Sequence, residues 1–160
     1  MKHIVPMVEY AKLLSNKLGG DNEVIEIAAW LHDVGSAIAG RENHHIVSAK
    51  VAEELLREEN YPKEKIKLIK DCILHHRSSV DAKRETIEEK IVAEADAISN
   101  FDNVPGIFMA AYLYENRNQD QATKEVVRKL SKKWQMLEFE ESKKLVRKKY
   151  EAILELFDNY

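Results

Sequence analysis

The chain of 160 residues contains six histidines, all in its first half. Each falls at or near the end of a predicted helix, and all but the first lie beside an acidic residue or another histidine: His3, His32, His44, His45, His75 and His76. Imidazole and carboxylate groups are the usual ligands of catalytic divalent metals, and a helical bundle can supply them from facing helices. This pattern makes a metal centre the first chemistry to consider.

The pair His32 and Asp33 follows the most apolar predicted helix and precedes Gly35. Burying such an ionisable pair costs free energy unless a partner or a metal satisfies it. Neighbouring helical side chains diverge by about 100°, so both can reach one ion only near an irregular helix end, which Gly35 would permit. The alternative is that both side chains cap the helix and face water, and the residues alone leave both interpretations open.

A second candidate is Asp96, which lies within the sequence Ala93-Glu94-Ala95-Asp96-Ala97. It borders the apolar stripe of its predicted helix, and the flanking alanines allow another helix to approach. An acid in that position needs a partner, and a metal or a histidine would serve. Glu94, by contrast, is expected on a solvated face.

Apolar residues at helical spacing predict the elements that would position these groups. Asp21, Asn43 and Thr86 are predicted N-caps, residues 34–43 are predicted to be a loop, and no segment alternates as a strand would. The pattern predicts one all-α domain over residues 1–160, with C-terminal helices at about 119–158. The predicted helices cover residues 4–18, 22–33, 44–59, 63–76, 87–98, 107–114 and, as one or two helices, 120–157.

The composition favours some classes of partner over others. A net charge of -3 with 33% charged residues gives no basic face for nucleic acid, whereas a bound cation could still attract a small anionic substrate. Cys72 is the single cysteine, expected to be a buried thiol, so no disulfide framework is available. Because no window approaches the length of a membrane span or a signal peptide, we expect a soluble, cytoplasmic protein.

The order His3, then His32-Asp33, then Asp96 resembles the signature of the HD superfamily of metal-dependent phosphohydrolases. A lone His-Asp dipeptide would be weak support, but the whole set in order is specific. The resemblance covers about residues 3–110, and the C-terminal third matches nothing diagnostic. The segments that carry it are residues 28–35, 44–49, 73–76 and 87–97.

The resemblance implies a compact helical bundle of about six to eight helices. It also implies that His3, His32, Asp33 and Asp96 bind a divalent metal ion, which could be Mn, Co, Ni, Fe, Zn or Mg. Asp33 would then be the catalytic residue that bridges to or orients a metal-activated water.

One histidine of each doublet would bind substrate phosphate or a second metal. The family pattern favours His44 over His45 and His76 over His75. After Asp96 the chain lacks the basic residue that the family pattern leads us to expect.

The implied function is hydrolysis of a small phosphorylated substrate, an ester or an anhydride, with nucleotides among the candidates. Two alternatives stay open: a di-iron oxygenase of the same fold, and a nucleotide-binding module without turnover. The apolar stripes near the C-terminus indicate core packing or a homodimer face. The basic runs at residues 128–133 and 143–149 are predicted to be solvated.

Overall fold

The computed structural model describes residues 3–40, 42–77 and 83–157. In these ranges the chain is all-α, and no strand occurs in them. Eight helices have ten residues or more, in agreement with the expected bundle, and the six-residue α3 is additional. The helices are α1 (Ile4–Leu18), α2 (Asn22–Leu31), α3 (Val34–Ala39), α4 (His44–Glu58), α5 (Lys63–His75), α6 (Ile87–Ser99), α7 (Val104–Leu113), α8 (Gln119–Gln135) and α9 (Glu140–Leu156), with a 3-10 turn at Asn100–Asp102 between α6 and α7.

Two of the three predicted N-caps have the expected hydrogen bonds. The Asp21 carboxylate accepts from the backbone N–H groups at the start of α2, and the Thr86 hydroxyl accepts from the N–H of Glu89 at 3.2 Å. Asn43 does precede α4, but it has a left-handed φ of 56° and its side chain makes no capping hydrogen bond. Side-chain capping therefore fixes the starts of α2 and α6, which flank the histidine-rich segments.

The loop predicted for residues 34–43 is partly wrong, because residues 34–39 form α3. Gly35 lies inside this short helix rather than at an irregular helix end. A Cβ atom on Gly35 would lie 2.4 Å from the carbonyl oxygen of His44 and 2.7 Å from the backbone nitrogen of Ser48. The Gly35 N–H donates to the Ser48 hydroxyl at 2.9 Å. Glycine is thus required because the backbones of α3 and α4 touch, which holds the start of α4 against the end of α2.

The most buried helix is α6 rather than α2. Every side chain of α6 from Ile91 to Ser99 is buried, and the helix contacts α1, α2, α5, α8 and α9. The helix before His32, α2, is also largely apolar in sequence, but it is less completely buried, because Trp30 near its end is 48% exposed. Asp96 is therefore carried by the helix with the most neighbours, so the apolar core fixes its position.

The C-terminal helices are joined to α6 by Glu94, whose carboxylate accepts hydrogen bonds from the backbone N–H groups of Glu138 at 2.6 Å and Phe139 at 3.1 Å. Glu94 is only 3% exposed, so its predicted place on a solvated face is wrong. The residues from 136 to 139 separate α8 from α9, and Glu94 satisfies backbone donors just before α9. Burial raises the pKa of Glu94, although these hydrogen bonds oppose the shift.

The single cysteine and the lengths of the apolar helices agree with the sequence. Cys72 is fully buried, as expected, and burial raises the pKa of its thiol. In the described ranges no helix is both long enough and apolar enough to cross a membrane.

Candidate metal centre

His3, immediately before α1, faces Asp96 of α6. Its Nε2 atom lies 3.2 Å from Oδ1 of Asp96, and its Nδ1 atom lies 3.0 Å from the hydroxyl of Ser99. The Ser99 hydroxyl gives its single hydrogen to the carbonyl oxygen of Asp96 at 2.8 Å. Ser99 therefore accepts a hydrogen bond from Nδ1 of His3. In the metal-free protein protonated His3 also donates from Nε2 to Asp96, whereas in the neutral form with the proton on Nδ1 the Nε2 lone pair would be free for a cation.

His32 and His76 have the same arrangement on two other helices. Their Nδ1 atoms donate to the carbonyl oxygens of Ala29 at 2.8 Å and Ile73 at 2.6 Å, each three residues earlier. Both side chains are almost fully buried, and Nε2 of His32 has no hydrogen-bond partner among the described residues. A buried acceptor without a partner costs free energy, and a metal ion at this position would remove that cost. The donor set thus fits a cation.

Asp33 follows α2 and places its carboxylate among three imidazoles. Its Oδ1 atom lies 3.0 Å from Nε2 of His44 and 3.9 Å from Nε2 of His76, and its Oδ2 atom lies 3.5 Å from Nε2 of His32. The Nε2 atoms of His44 and His76 are 3.4 Å apart. Four side chains from three separate segments of the chain therefore converge on one point.

The ligand atoms form two overlapping groups, one of His3, His32 and Asp96 and one of His32, Asp33 and His76. Within each group the atoms lie within 4.8 Å of one another. Mixed imidazole and carboxylate donors suit Zn, Fe, Mn, Co or Ni. Because the groups share His32, the arrangement could hold one cation or two neighbouring cations.

Burial and charge set the protonation of the cluster. Burial lowers the pKa of His32, and it lowers the pKa of His76 to about 4. Burial also acts to lower the pKa of His3, but the hydrogen bond and charge of Asp96 outweigh it and raise the value. Burial alone would raise the pKa of Asp96, yet Lys133 and His3 hold it well below its usual range. At neutral pH His32 and His76 are therefore neutral imidazoles and Asp96 is an ionised carboxylate, the forms that bind metals. Asp96 favours the protonated form of His3 in the metal-free protein, so a cation that binds His3 would displace that proton.

Each histidine doublet contributes one member to this cluster. His44 and His76 line the cavity beside it, whereas His45 and His75 do not. Nδ1 of His75 is paired with a Glu89 carboxylate oxygen at 2.8 Å, and the ring of His45 lies against that of His44 with centroids 5.8 Å apart. The positions assigned to His45 and His75 in the site are not supported by the geometry, because adjacent helical side chains diverge.

A cavity of about 530 Å³ opens in front of the cluster. It brings amide side chains from the 3-10 turn and from the residue before α7, and basic side chains from α8, to the histidines and acids of the cluster. Its lining comprises His3, Asp33, Ser36, His44, His76, Arg77, Asp96, Asn100, Asn103, Gly106, Ile107, Ala110, Lys129 and Lys133. An anion in this cavity would meet cationic groups on the side that faces α8.

The lysines of α8 were missed as site residues, since their run was predicted to be solvated. Lys133 donates to Oδ2 of Asp96 at 2.7 Å, and its side chain is 18% exposed. Lys129 also lines the cavity. Nothing in their sequence spacing distinguishes these lysines from the solvated lysines beside them. The absence of a basic residue just after Asp96 was the one signal that a positive charge for the site comes from another segment. The structure supplies it from α8.

The HD domain family model matches residues 1–100, more than half of the chain. This protein therefore belongs to the HD domain family.

Individual relatives agree with this assignment. The chain is 33% identical over 103 residues to an uncharacterised protein of Clostridium beijerinckii, covering 62% of this chain and 63% of that one. It is 36% identical over 104 residues to ribonuclease Y of Alkaliphilus metalliredigens, covering 62% of this chain and 19% of that one. The chain thus spans less than two thirds of the length of either relative.

A solved structure shares the fold. The crystal structure of an HD-superfamily hydrolase from Bacillus thuringiensis superposes with a TM-score of 0.71 at 20% identity, over 98% of this chain and 81% of that one. This likeness concerns the fold alone, because the identity is low.

Proposed function

We propose that this protein is a metal-dependent phosphohydrolase acting on a small phosphate ester or anhydride, with nucleotides among the candidate substrates. The observation that carries the proposal is the buried Nε2 atom of His32, which has no hydrogen-bond partner among the described residues and lies close to Asp33 and Asp96. Both of these acids line a cavity that also contains basic side chains. Membership of the HD domain family and the names of ribonuclease Y and the Bacillus thuringiensis hydrolase also favour hydrolysis at a phosphate.

The residues proposed to hold the cation are His3, His32, Asp33 and Asp96. A divalent metal bound there would lower the pKa of a coordinated water and polarise the scissile phosphate. Hydrogen bonds from Nδ1 to neighbouring oxygens orient His3 and His32 for this task. Lys133 holds Oδ2 of Asp96, so that Oδ1 faces His3.

The proposed reaction adds a water oxygen to phosphorus and breaks the bond from phosphorus to the leaving oxygen. Asp33 would accept the proton released by the water, and the leaving group would take up a proton in turn. His44 lies 3.0 Å from Oδ1 of Asp33, close enough to orient that carboxylate. His44 and His76 are proposed to contact the phosphate or a second metal, and Lys133 and Arg77 to balance its charge.

The test is metal analysis joined to a turnover assay. Protein stripped with a chelator is reloaded with Mn²⁺, Co²⁺ or Ni²⁺ and assayed on a generic phosphodiester and a panel of nucleotides. We expect metal-dependent release of product, and we expect His32→Ala to lose both bound metal and turnover.

The matched control is His75→Ala, which removes a histidine that lies outside the cavity. It should retain metal and activity. No turnover with any metal in the wild type, together with unchanged metal content in His32→Ala, would overturn the proposal. Ligand-dependent thermal stabilisation without product would instead favour a nucleotide-binding module.

A second candidate function uses the same metal centre for a different reaction. The two ligand groups that share His32 favour a binuclear centre, which is the requirement for a di-iron oxygenase. Anaerobic purification from iron-replete cells followed by iron counting and Mössbauer spectroscopy separates the two candidates. Two coupled irons per chain with O₂ consumption would support the oxygenase, and turnover without O₂ would support hydrolysis.

A further inference from the structure

A second recess lies along α8 beside the cavity at the metal centre. This recess has a volume of about 260 Å³ and shares four lining residues with the cavity, namely Asn100, Ile107, Lys129 and Lys133. Its other lining residues are Arg128, Leu130 and Lys132. A ligand held at the metal centre could therefore extend onto α8 without leaving the protein surface.

The lining of the recess contains four basic side chains and no acidic one. Three of them are held in place by ion pairs, and the partner of Lys133 is Asp96 of the metal centre. The other two pair with acids outside that centre: Arg128 with Glu125 at 2.6 Å, and Lys129 with Glu115 at 2.6 Å and Glu125 at 3.3 Å. These two acids do not line the recess. Orienting basic side chains in advance reduces the entropy lost when they bind an anion.

Lys132 adds a charge that no acid offsets. Its ammonium group forms no ion pair with any residue in the described ranges, in contrast to Lys133, which is paired with Asp96. Arg117 adds a third cation behind Glu115 and Glu125, at 2.7 Å and 3.7 Å respectively. The two acids are thus outnumbered by their basic partners even before Lys132 is counted.

One phosphate at the metal centre would leave this recess unused. The scissile group has Lys133 and Arg77 in its own cavity, whereas Lys132 lines only the second recess. We propose that the substrate carries a second anionic group, a phosphate or a carboxylate, which binds in the recess between Lys129 and Lys132 of α8. This inference rests on the proposed function, because it assumes that the scissile phosphate binds at the metal centre.

The test compares two inert ligands, propylphosphonate and a propane diphosphonate with one phosphonate at each end. Their dissociation constants are measured by calorimetry on the metal-loaded protein. We expect the wild type to bind the diphosphonate about tenfold more tightly, because a second charge-assisted contact is formed. Lys132→Gln should reduce this preference about fivefold and leave propylphosphonate binding unchanged, whereas Lys132→Arg should keep the preference.

The matched control is Lys124→Gln, which removes an exposed lysine of α8 that lines neither recess nor cavity. Equal affinities for the two ligands in the wild type, or the same preference in Lys132→Gln as in Lys124→Gln, would overturn the inference. Turnover of p-nitrophenyl phosphate in the same samples separates this result from a failure of the proposed function, since that ester has no second anionic group.

Discussion

The two ends of the chain build the site with different kinds of residue. The first hundred residues supply imidazoles and carboxylates whose orientation is fixed by local hydrogen bonds, such as those of His32 to Ala29 and of His76 to Ile73. The C-terminal third supplies flexible lysines, held only by ion pairs with acids. The proposed metal ligands are therefore oriented by hydrogen bonds within the N-terminal helices. The positive charge that would surround a bound anion comes from the C-terminal helix α8.

The largest effect is expected from substituting Asp96, because this acid contacts both His3 of the N-terminal region and Lys133 of the C-terminal region. Asp96→Ala removes a proposed ligand and leaves Lys133 without its carboxylate. We expect bound metal to fall below about a tenth of the wild-type content and kcat/KM to fall at least about a thousandfold. Atomic emission analysis and the phosphodiester assay measure the two effects. Metal content equal to that of the wild type would remove Asp96 from the centre.

A smaller loss of activity is expected when Lys133, the residue that α8 contributes beside Asp96, is substituted. Lys133→Gln should retain metal and lower kcat/KM about ten- to a hundredfold, because Asp96 loses its orienting partner and the cavity loses a positive charge. The same measurements apply, with Lys124→Gln as a control on the same helix. Loss of metal in Lys133→Gln would show that the lysine belongs with the ligands, and the distinction between the two regions would fail.

Ser99 tests whether orientation by hydrogen bonds matters for the N-terminal region. Ser99→Ala removes the acceptor that fixes Nδ1 of His3, so His3 can turn and the alternative tautomer becomes available. We expect metal affinity to fall about tenfold with little change in melting temperature. Competition with a fluorescent chelator measures the affinity. An unchanged affinity would mean that His3 is oriented by the rest of its packing.

Glu94 tests how the two regions are joined. Glu94→Ala leaves the N–H groups of Glu138 and Phe139 without their acceptor, which should lower the free energy of unfolding by about 1–3 kcal/mol. Urea denaturation measures this change. Metal content per folded molecule should stay the same, because Glu94 touches none of the proposed ligands. A loss of metal would show that docking of α9 also shapes the centre.

The pH dependence of the metal-free protein is the last test, because His76 and His3 contribute to stability in different pH ranges. The lowered pKa of His76 gives stability that is present above about 6.5 and is lost as the pH falls towards about 4. The raised pKa of His3 gives stability that is present below its ordinary value of about 6.5 and is lost as the pH rises through the folded value. We therefore expect the melting temperature to be highest near a pH of about 6.5 and to fall on both sides of it. The fall should be larger on the acidic side, because burial lowers the pKa of His32 as well as that of His76.

Single substitutions should separate these two contributions. His76→Leu should reduce the loss of stability on acidification and leave the part due to His32, whereas His75→Leu, outside the cluster, should not reduce it. The measurement is thermal melting in chelator between pH 4 and 8 (a range chosen to contain the ordinary histidine pKa of about 6.5). A steeper acid loss in His76→Leu than in the wild type would contradict the assignment.

Much of this architecture could be predicted from the sequence alone. The long helices followed from apolar spacing, and two of the starts followed from Asp21 and Thr86, because these signals act within one or two turns. The residues with the chemistry to bind a metal could also be named, since few side-chain types coordinate one. His3, His32, Asp33 and Asp96 do lie together in the structure.

What only the tertiary structure decided depends on contacts between distant segments. Gly35 occurs where a helix end was expected, but its need for close contact with His44 is visible only when α3 and α4 are packed. Glu94 and Lys133 are residue types that usually lie on the surface. Glu94 is buried and Lys133 is mostly covered, because α8 and α9 fold back onto α6. The sequence therefore indicates which residues can bind a metal, because their types and spacing are visible locally. It does not indicate which charged residues lie beside them, because those residues come from a distant helix whose packing leaves no local sequence signal.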